Sequence, residues 1–477
     1  MSSEPPVVIV GGGLAGLAAA AALAERGVRS VLLESRPRLG GRASSFHDAA
    51  SDTWIDNCQH VTMGCCTNFQ HFCEQMGLAE FFRVEPALYF VGPSGRIHKF
   101  AAGPWPAPLH LAGALARLSY LSWADKLALA RGLRALAQEL RRVAPASSSI
   151  DEKDQGDAPR LSFADWLQQQ HQPPNAVHYF WEVVLVSALS ESLDRISVDA
   201  ARKVFVDGFL SHRDAWQVRI PVVPLEELYG GRLMEHLTAR GVQLRLLTPA
   251  ERVEIVDGRA AGVRLKSGEM ITGDEFVVAV PHHRVLSLLP TELAGHPQLA
   301  GLMQLESAPI SSVHLWFDRP IMDLPHAVIV SRLCQWVFNR GEKPGFGWYY
   351  QVVISASRDV VERDSSSVLQ QVLSELAAVW PAVHSARLVH SRQVTEHRAV
   401  FSPLPGSNEL RPLQQSPIPN LQLAGDWTRT GWPATMEGAI RSGYLAAENV
   451  LRRLGRPVPI LQPDLPRATL FRWLFRG

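Results

Sequence analysis

One short unit near the amino end restricts the fold more than any other part of the chain. Val7-Val8-Ile9-Val10 is a β-branched apolar run, the pattern of a strand buried on both faces in a parallel sheet. It runs into Gly11-Gly12-Gly13-Leu14-Ala15-Gly16 and then an alanine-rich helix to about Arg26, stopped by Gly27. A second strand, Ser30-Val31-Leu32-Leu33, ends at Glu34. A GxGxxG turn with a strand before it, a helix after it and an acid about 20 residues on is the dinucleotide fingerprint in its required setting. Gly11, Gly13 and Gly16 permit the tight turn and close backbone approach. The helix start at Leu14 and Ala15 offers N–H groups and partial positive charge to a pyrophosphate. Glu34 is placed to accept ribose hydroxyls. The expected class is α/β, with a parallel sheet and a bound dinucleotide.

At 477 residues the chain exceeds one simple core, and two packed domains are expected. A formal net charge of +1 speaks against a nucleic-acid partner, which requires a basic excess. Five cysteines, an odd count, do not form a disulfide framework, so a reducing cytoplasm is expected. Met1 to Gly13 holds no basic segment followed by an apolar core, and no run of about 18 apolar residues is present. Neither a secretory signal nor a spanning helix is therefore expected.

Directly after Glu34 comes Ser35-Arg36-Pro37-Arg38-Leu39-Gly40-Gly41-Arg42. This second glycine turn resembles the loop of the glutathione-reductase-like flavoproteins, in the amine oxidase and phytoene desaturase branch, that wraps the pyrophosphate of FAD. The resemblance implies that Ser35 and Arg36 belong to the cofactor site and that Gly40, Gly41 and Arg42 approach phosphate and ribityl. Asn420 to Leu451 reads as strand, Gly425-Asp426 turn, loop and helix. By the same resemblance Asp426 binds the ribityl chain, and a helix opening at Thr435-Met436 aims its positive end at the flavin, where reduced flavin carries negative charge. The family position in Glu251 to Val256 whose backbone meets adenine is Val253. The implied fold is a discontinuous Rossmann FAD domain (1–80, 215–300 and 405–460) with an inserted α+β substrate domain (81–214 and 301–404) and a tail (461–477). No second GxGxxG follows, since Gly345-Phe346-Gly347 opens no helix. Electrons must then come from an external donor.

Between these ends, Ala101 to Arg142 and Leu161 to Arg202 have helical periodicity, separated by a polar break from Ser147 to Arg160. Gly241 to Pro290 reads as short strands, and Gly301 to Phe401 as strands plus a helix near 368–378.

Asp56-Asn57-Cys58-Gln59-His60, with Cys65, Cys66 and Cys73 beyond, first suggests a thiol or metal site. The spacing matches no paired C-x-x-C zinc motif, so no metal is expected. Together with Gly425-Asp426-Trp427 and the stretch from Trp105 to Ala130, the loop resembles the hydroxysqualene dehydroxylases, squalene-associated desaturase-like flavoproteins of bacterial hopanoid pathways. The implied reaction removes an allylic hydroxyl: an acid assists its departure as water, and hydride quenches the cation left behind. His60, with an ordinary pKa of about 6.5, is the candidate acid or else a structural histidine. Gln59 and Asn57 would orient substrate, water or the flavin rim. Asp56 would position His60 or cap the adjoining turn, and Trp427 and Trp432 would wall the cavity or fill core.

The implied partner is a long isoprenoid, hydroxysqualene, reached from membrane. The tail Arg467 to Gly477 alternates arginine with Leu, Phe and Trp, a pattern suited to docking on anionic lipid. A cytoplasmic protein, peripheral on the inner face of a bacterial plasma membrane, is the expectation. Carotenoid-type polyene desaturation is the nearest alternative. Amine oxidation lacks its usual lysine, since none lies between Gly301 and Pro320. A non-catalytic flavin-binding membrane scaffold is the third.

Overall fold

The computed structural model describes residues 5–138 and 161–475. Five parallel strands form its first sheet, in the order Val242–Arg245, Ser30–Leu33, Val7–Val10, Phe276–Val278, Leu421–Leu423. Val7–Val10 is central and all four residues are buried, so the fingerprint turn opens at the middle of the sheet, where the strand order reverses. That is the place where doubly wound sheets bind ligands. The helix Leu14–Ala24 is buried along its whole length. It packs against the long carboxy-terminal helix Met436–Arg453.

Their contact needs glycine. A Cβ on Gly443 would lie 2.2 Å from the carbonyl oxygen of Ala15 and 2.8 Å from Ala18 Cβ.

A second sheet of seven strands runs Leu388–Phe401, Ser307–Phe317, Gly347–Ile354, Trp336–Lys343, His326–Ile329, Leu88–Val91, Ile97–Phe100. One of its faces packs on the helix Ser365–Val379 through Val313, Leu315, Val352 and Val372. The other faces the region between the two sheets. A helical layer from Phe163 to Leu210 covers the far part of that inner face around Trp181, Leu185 and Phe205. It contains π-helical turns at Val177–Trp181 and Lys203–Leu210.

The helical run expected from Ala101 starts late. Residues 101–108 are irregular, and regular helix comes at Ala112–Ala116 and Trp123–Gln138. Pro104, Pro106 and Pro108 explain this, because each removes a backbone donor and biases the residue before it away from helix. The polar break at 147–160, the run from 139 to Arg142, and Arg476 and Gly477 of the tail lie outside the described residues. The tail forms a short helix, Thr469–Leu474, with Phe471 packed beside Ala137 and Val206. Among the described residues no helix is long and apolar enough to cross a membrane.

Candidate functional site

The two glycine turns meet. Gly13 and Gly40 form a backbone bridge, and a Cβ on Gly41 would stand 3.1 Å from Gly13 Cα. Gly40 and Gly41 both have left-handed φ angles, +91° and +65°, which glycine adopts without steric cost. The helix Leu14–Ala24 begins at Gly13 with no side-chain cap and no acid in its first turn. Its first N–H groups, at Leu14, Ala15 and Gly16, have no acceptor within the helix. Gly11, at φ +112°, could carry no side chain, because a Cβ there would meet the Ala279 oxygen at 2.4 Å. Helix end and backbone cradle together fit a pyrophosphate.

Glu34 stands at the end of the second strand. Its carboxylate accepts from the Gly12 N–H (2.7 Å), the Arg36 N–H (2.8 Å) and the Ser35 hydroxyl (3.1 Å). These contacts fix it against the fingerprint turn, and they make Ser35 and Arg36 supports of Glu34. Val253 is buried under the central strands and donates its N–H to Leu288 O at 2.7 Å. That bond takes up the Val253 N–H.

The two chain ends are joined by one ion pair. Arg42 donates to Asp426 Oδ1 at 2.6 Å and to Ala399 O at 2.8 Å. Gly425, at φ +152°, donates its N–H to the Ser442 hydroxyl of the carboxy-terminal helix. Thr435 caps that helix, its hydroxyl accepting from the Gly438 N–H at 3.0 Å, and Met436 is the first helical residue. Glu437 in the first turn is buried, and its carboxylate accepts from the Asn68 side chain and the Phe69 N–H. Burial raises its pKa, partly opposed by those donors.

Two arginines escaped the sequence reading. Arg411, 4% exposed, donates to the carbonyls of Asp426, Trp427, Thr428 and Trp432. It holds the whole turn from 426 to 432 in shape, and no local pattern around it signals this. Arg340 donates to Gln59 Oε1 (3.0 Å) and Pro221 O (2.9 Å) and stands 3.9 Å from Asp56. A one-residue bulge sets it there: Asn339 opposes Tyr350, yet Glu342 opposes Trp348. The bulge contains Gly341 at φ +80°. It returns Lys343 to the inner face, 5.7 Å over the Tyr349 ring, as bulges beside sites re-aim side chains.

The Asp56-to-His60 loop lies between the cofactor turns and the apolar helical layer. Asp56 ties distant segments together, and no hydrogen bond places it on the adjoining turn. Its Oδ1 accepts from Ser45 Oγ (2.6 Å) and the Leu225 N–H (2.9 Å), and no hydrogen bond joins it to His60. Asn57 faces the second glycine turn, with its N–H on Ser44 O and its amide near Arg42 O and Ser44 Oγ. Gln59 is held by Arg340. His60 Nδ1 lies 2.9 Å from Cys58 O. A carbonyl only accepts, so Nδ1 carries the proton and Nε2 of the neutral ring is an acceptor. Burial lowers the His60 pKa, with Asp56 opposing, which corrects the expected value of about 6.5. The neutral imidazole offers a lone pair rather than an acidic proton.

The thiols are chemically quiet. Burial pushes Cys58 up to about 12 and holds Cys73 and Cys334 high as well. These three are thiols, not thiolates, near neutral pH. All five cysteines are free, and no cluster of three His, Cys, Asp or Glu suited to a metal occurs among the described residues.

Neither tryptophan offered as a cavity wall is open. Trp427 is 1% exposed, packs under the central strands and donates to Val280 O at 2.9 Å. Trp432 is buried with Lys203 Nζ 4.3 Å above its ring. Core packing accounts for Trp427, and packing with a cation contact for Trp432.

Comparison with known proteins agrees with this geometry. Residues 14–451 match the model of the family described as flavin containing amine oxidoreductase. The 15-cis-phytoene desaturase of Solanum lycopersicum is 28% identical over 97% of this chain and 80% of its own. That of Synechococcus elongatus is 27% identical over 94% of this chain and 96% of its own. The crystal structure of an oxidoreductase from Methanosarcina mazei superposes with a TM-score of 0.68 at 15% identity, covering 92% of this chain and 98% of that one; it supports the fold alone. FAD is the cofactor, and the two glycine turns, Glu34, the Arg42–Asp426 pair and the helix opening at Thr435 are the groups that would hold it. The chain belongs to the flavin containing amine oxidoreductase family.

Proposed function

We propose that this oxidoreductase performs FAD-dependent redox chemistry on a long isoprenoid chain. The observation that carries the reading is the two-sided loop 56–63. Asn57 touches the cofactor turn, while Cys58, Val61 and Met63 pack on the same apolar cluster as Phe90, Ile310 and Trp336. An extended hydrocarbon lying on that cluster would reach the cofactor past this loop. FAD, when bound, supplies a hydride acceptor or donor. The protein's part is a dry apolar approach and fixed polar groups at its end.

Desaturation of a carotenoid-type polyene is the first reading, supported by similarity to phytoene desaturases over nearly the whole chain. It needs only shape and exclusion of water from the chain. Reductive dehydroxylation of hydroxysqualene is the second, favoured by the polar edge that Gln59 and His60 of this loop make with Arg340 of the strand Trp336–Lys343. A pure hydrocarbon has no use for that edge. A hydroxyl could donate to His60 Nε2, so His60 orients the oxygen in this reading and is not its acid.

The test is anaerobic. Oxidised holoenzyme is mixed with 15-cis-phytoene, photoreduced holoenzyme with hydroxysqualene, and products are identified by chromatography and mass. Desaturated polyene supports the first reading and squalene the second. Loss of neither substrate overturns both.

A further inference from the structure

We propose that one face of the molecule, built from the Trp105 loop, the exposed side of helix Trp123–Gln138 and the tail helix, docks on an anionic lipid bilayer. The proposal stands on the surface and not on the choice of substrate. Trp105, Trp123 and Trp473 are 64%, 70% and 61% exposed, and Leu109, Leu127 and Leu474 lie exposed among them. Single exposed apolar residues are ordinary, but a group with three open indoles calls for a partner.

These residues share one face because of how their segments are tied. Arg213 donates to the carbonyls of Pro104 and Trp105 at 3.1 and 3.2 Å. Two residues earlier, Ser211 O accepts the Ala468 N–H, so the Trp105 loop and the tail hang from the same short segment. Phe471 then fixes the tail helix against Ala137, at the end of helix Trp123–Gln138. With Phe471 inward, Arg472 and Trp473 point to solvent. Trp123, Leu127, Arg131 and Arg134 follow at helical spacing on the exposed side of the longer helix, whose 16 residues span about 24 Å.

The charges identify the occupant. No Asp or Glu occurs from Pro86 to Ala124 or from Arg467 to Gly477. Asp125 is buried, accepting from Ser122. Among the described residues, Asp464 is paired with Arg441 and Lys203, and Asp214, beside Arg213, is an exposed carboxylate at the edge of this face. Arg131, Arg213, Arg467 and Arg472 are exposed around the indoles. Open indoles ringed by arginine match the interfacial layer of a bilayer with anionic headgroups, where the ring sits at headgroup depth and the guanidinium meets phosphate. A protein partner would need a shaped, closely packed counter-surface, whereas a bilayer tolerates this shallow, irregular set of anchors.

Flotation of FAD-loaded full-length protein tests this. It is mixed with phosphatidylcholine vesicles, with or without about 30% phosphatidylglycerol. The protein is expected to float with the anionic vesicles and to be released by high salt. The triple variant Trp105→Ala, Trp123→Ala, Trp473→Ala should partition at least about tenfold more weakly, with unchanged flavin spectrum, thermal midpoint and turnover in detergent. Arg467→Gln and Arg472→Gln should each cost about fivefold on anionic vesicles. Wild-type protein that stays unbound with anionic vesicles, or a triple variant that floats as well as wild type, overturns the proposal. So does loss of self-association in the triple variant without lipid, which would assign the face to a second copy of this chain. Flotation needs no turnover, so its outcome is separate from the reading of the reaction.

Discussion

Arg411 shows how much one side chain can hold that its neighbours in sequence do not announce. Removing it leaves the carbonyls of Asp426, Trp427, Thr428 and Trp432 without their donor, in the turn that holds Asp426 against Arg42. Arg411→Met should destabilise the protein by about 3–5 kcal/mol and release FAD on gel filtration; a urea midpoint within error of wild type would refute that role. His314 gives a second residue-scale expectation. It is fully buried, 2.7 Å from the Tyr349 hydroxyl, and burial pushes its pKa down to about 3. The unfolded imidazole takes a proton near pH 6.5, but the native one resists until about pH 3. The unfolded state therefore binds more protons across that window, and stability falls as pH drops through it, by up to about 1.4 kcal/mol per pH unit. Denaturant melts between pH 7 and about 4.5 should show a shallower slope for His314→Gln than for wild type. At this scale little could be read from the sequence. Asp56 and His60 were visible as chemistry, but the proton on Nδ1 follows from the Cys58 carbonyl, and the Arg340–Gln59 bond from a bulge 281 residues away.

Elements were legible where their cause is local. A β-branched run, a glycine turn and an alanine helix need only near neighbours, and the strand, turn and helix from Val7 to Ala24 lie where the pattern put them. The stretch after Ala101 misled because its leucine and alanine content outweighed three prolines in the periodicity. What periodicity does not carry is helix against helix. Gly443 looks like an ordinary small residue until its missing Cβ is found to lie 2.2 Å from Ala15 O and 2.8 Å from Ala18 Cβ. Gly443→Ala should force apart the two helices whose ends frame the cofactor, costing about 1–3 kcal/mol and weakening FAD binding. A calorimetric FAD titration matching wild type would show that the helices can yield.

Across the whole molecule, Arg42 and Asp426 close a site from residues 384 apart, and the loop 56–63 turns one side to that site and the other to apolar helices. Both glycine-rich ends were readable because each carries a compact motif. The enclosure between them was not, since it depends on the seven-stranded sheet, whose inner face mixes Trp336 and Phe338 with Arg340 and Lys343. The most direct test follows the visible flavin band of holoenzyme under strict anaerobiosis. With oxidised protein and 15-cis-phytoene it should bleach as desaturated product forms, or with photoreduced protein and hydroxysqualene it should return as squalene forms. No change with either isoprenoid, together with bleaching by a simple primary amine, would contradict isoprenoid redox chemistry and make this chain an amine oxidase.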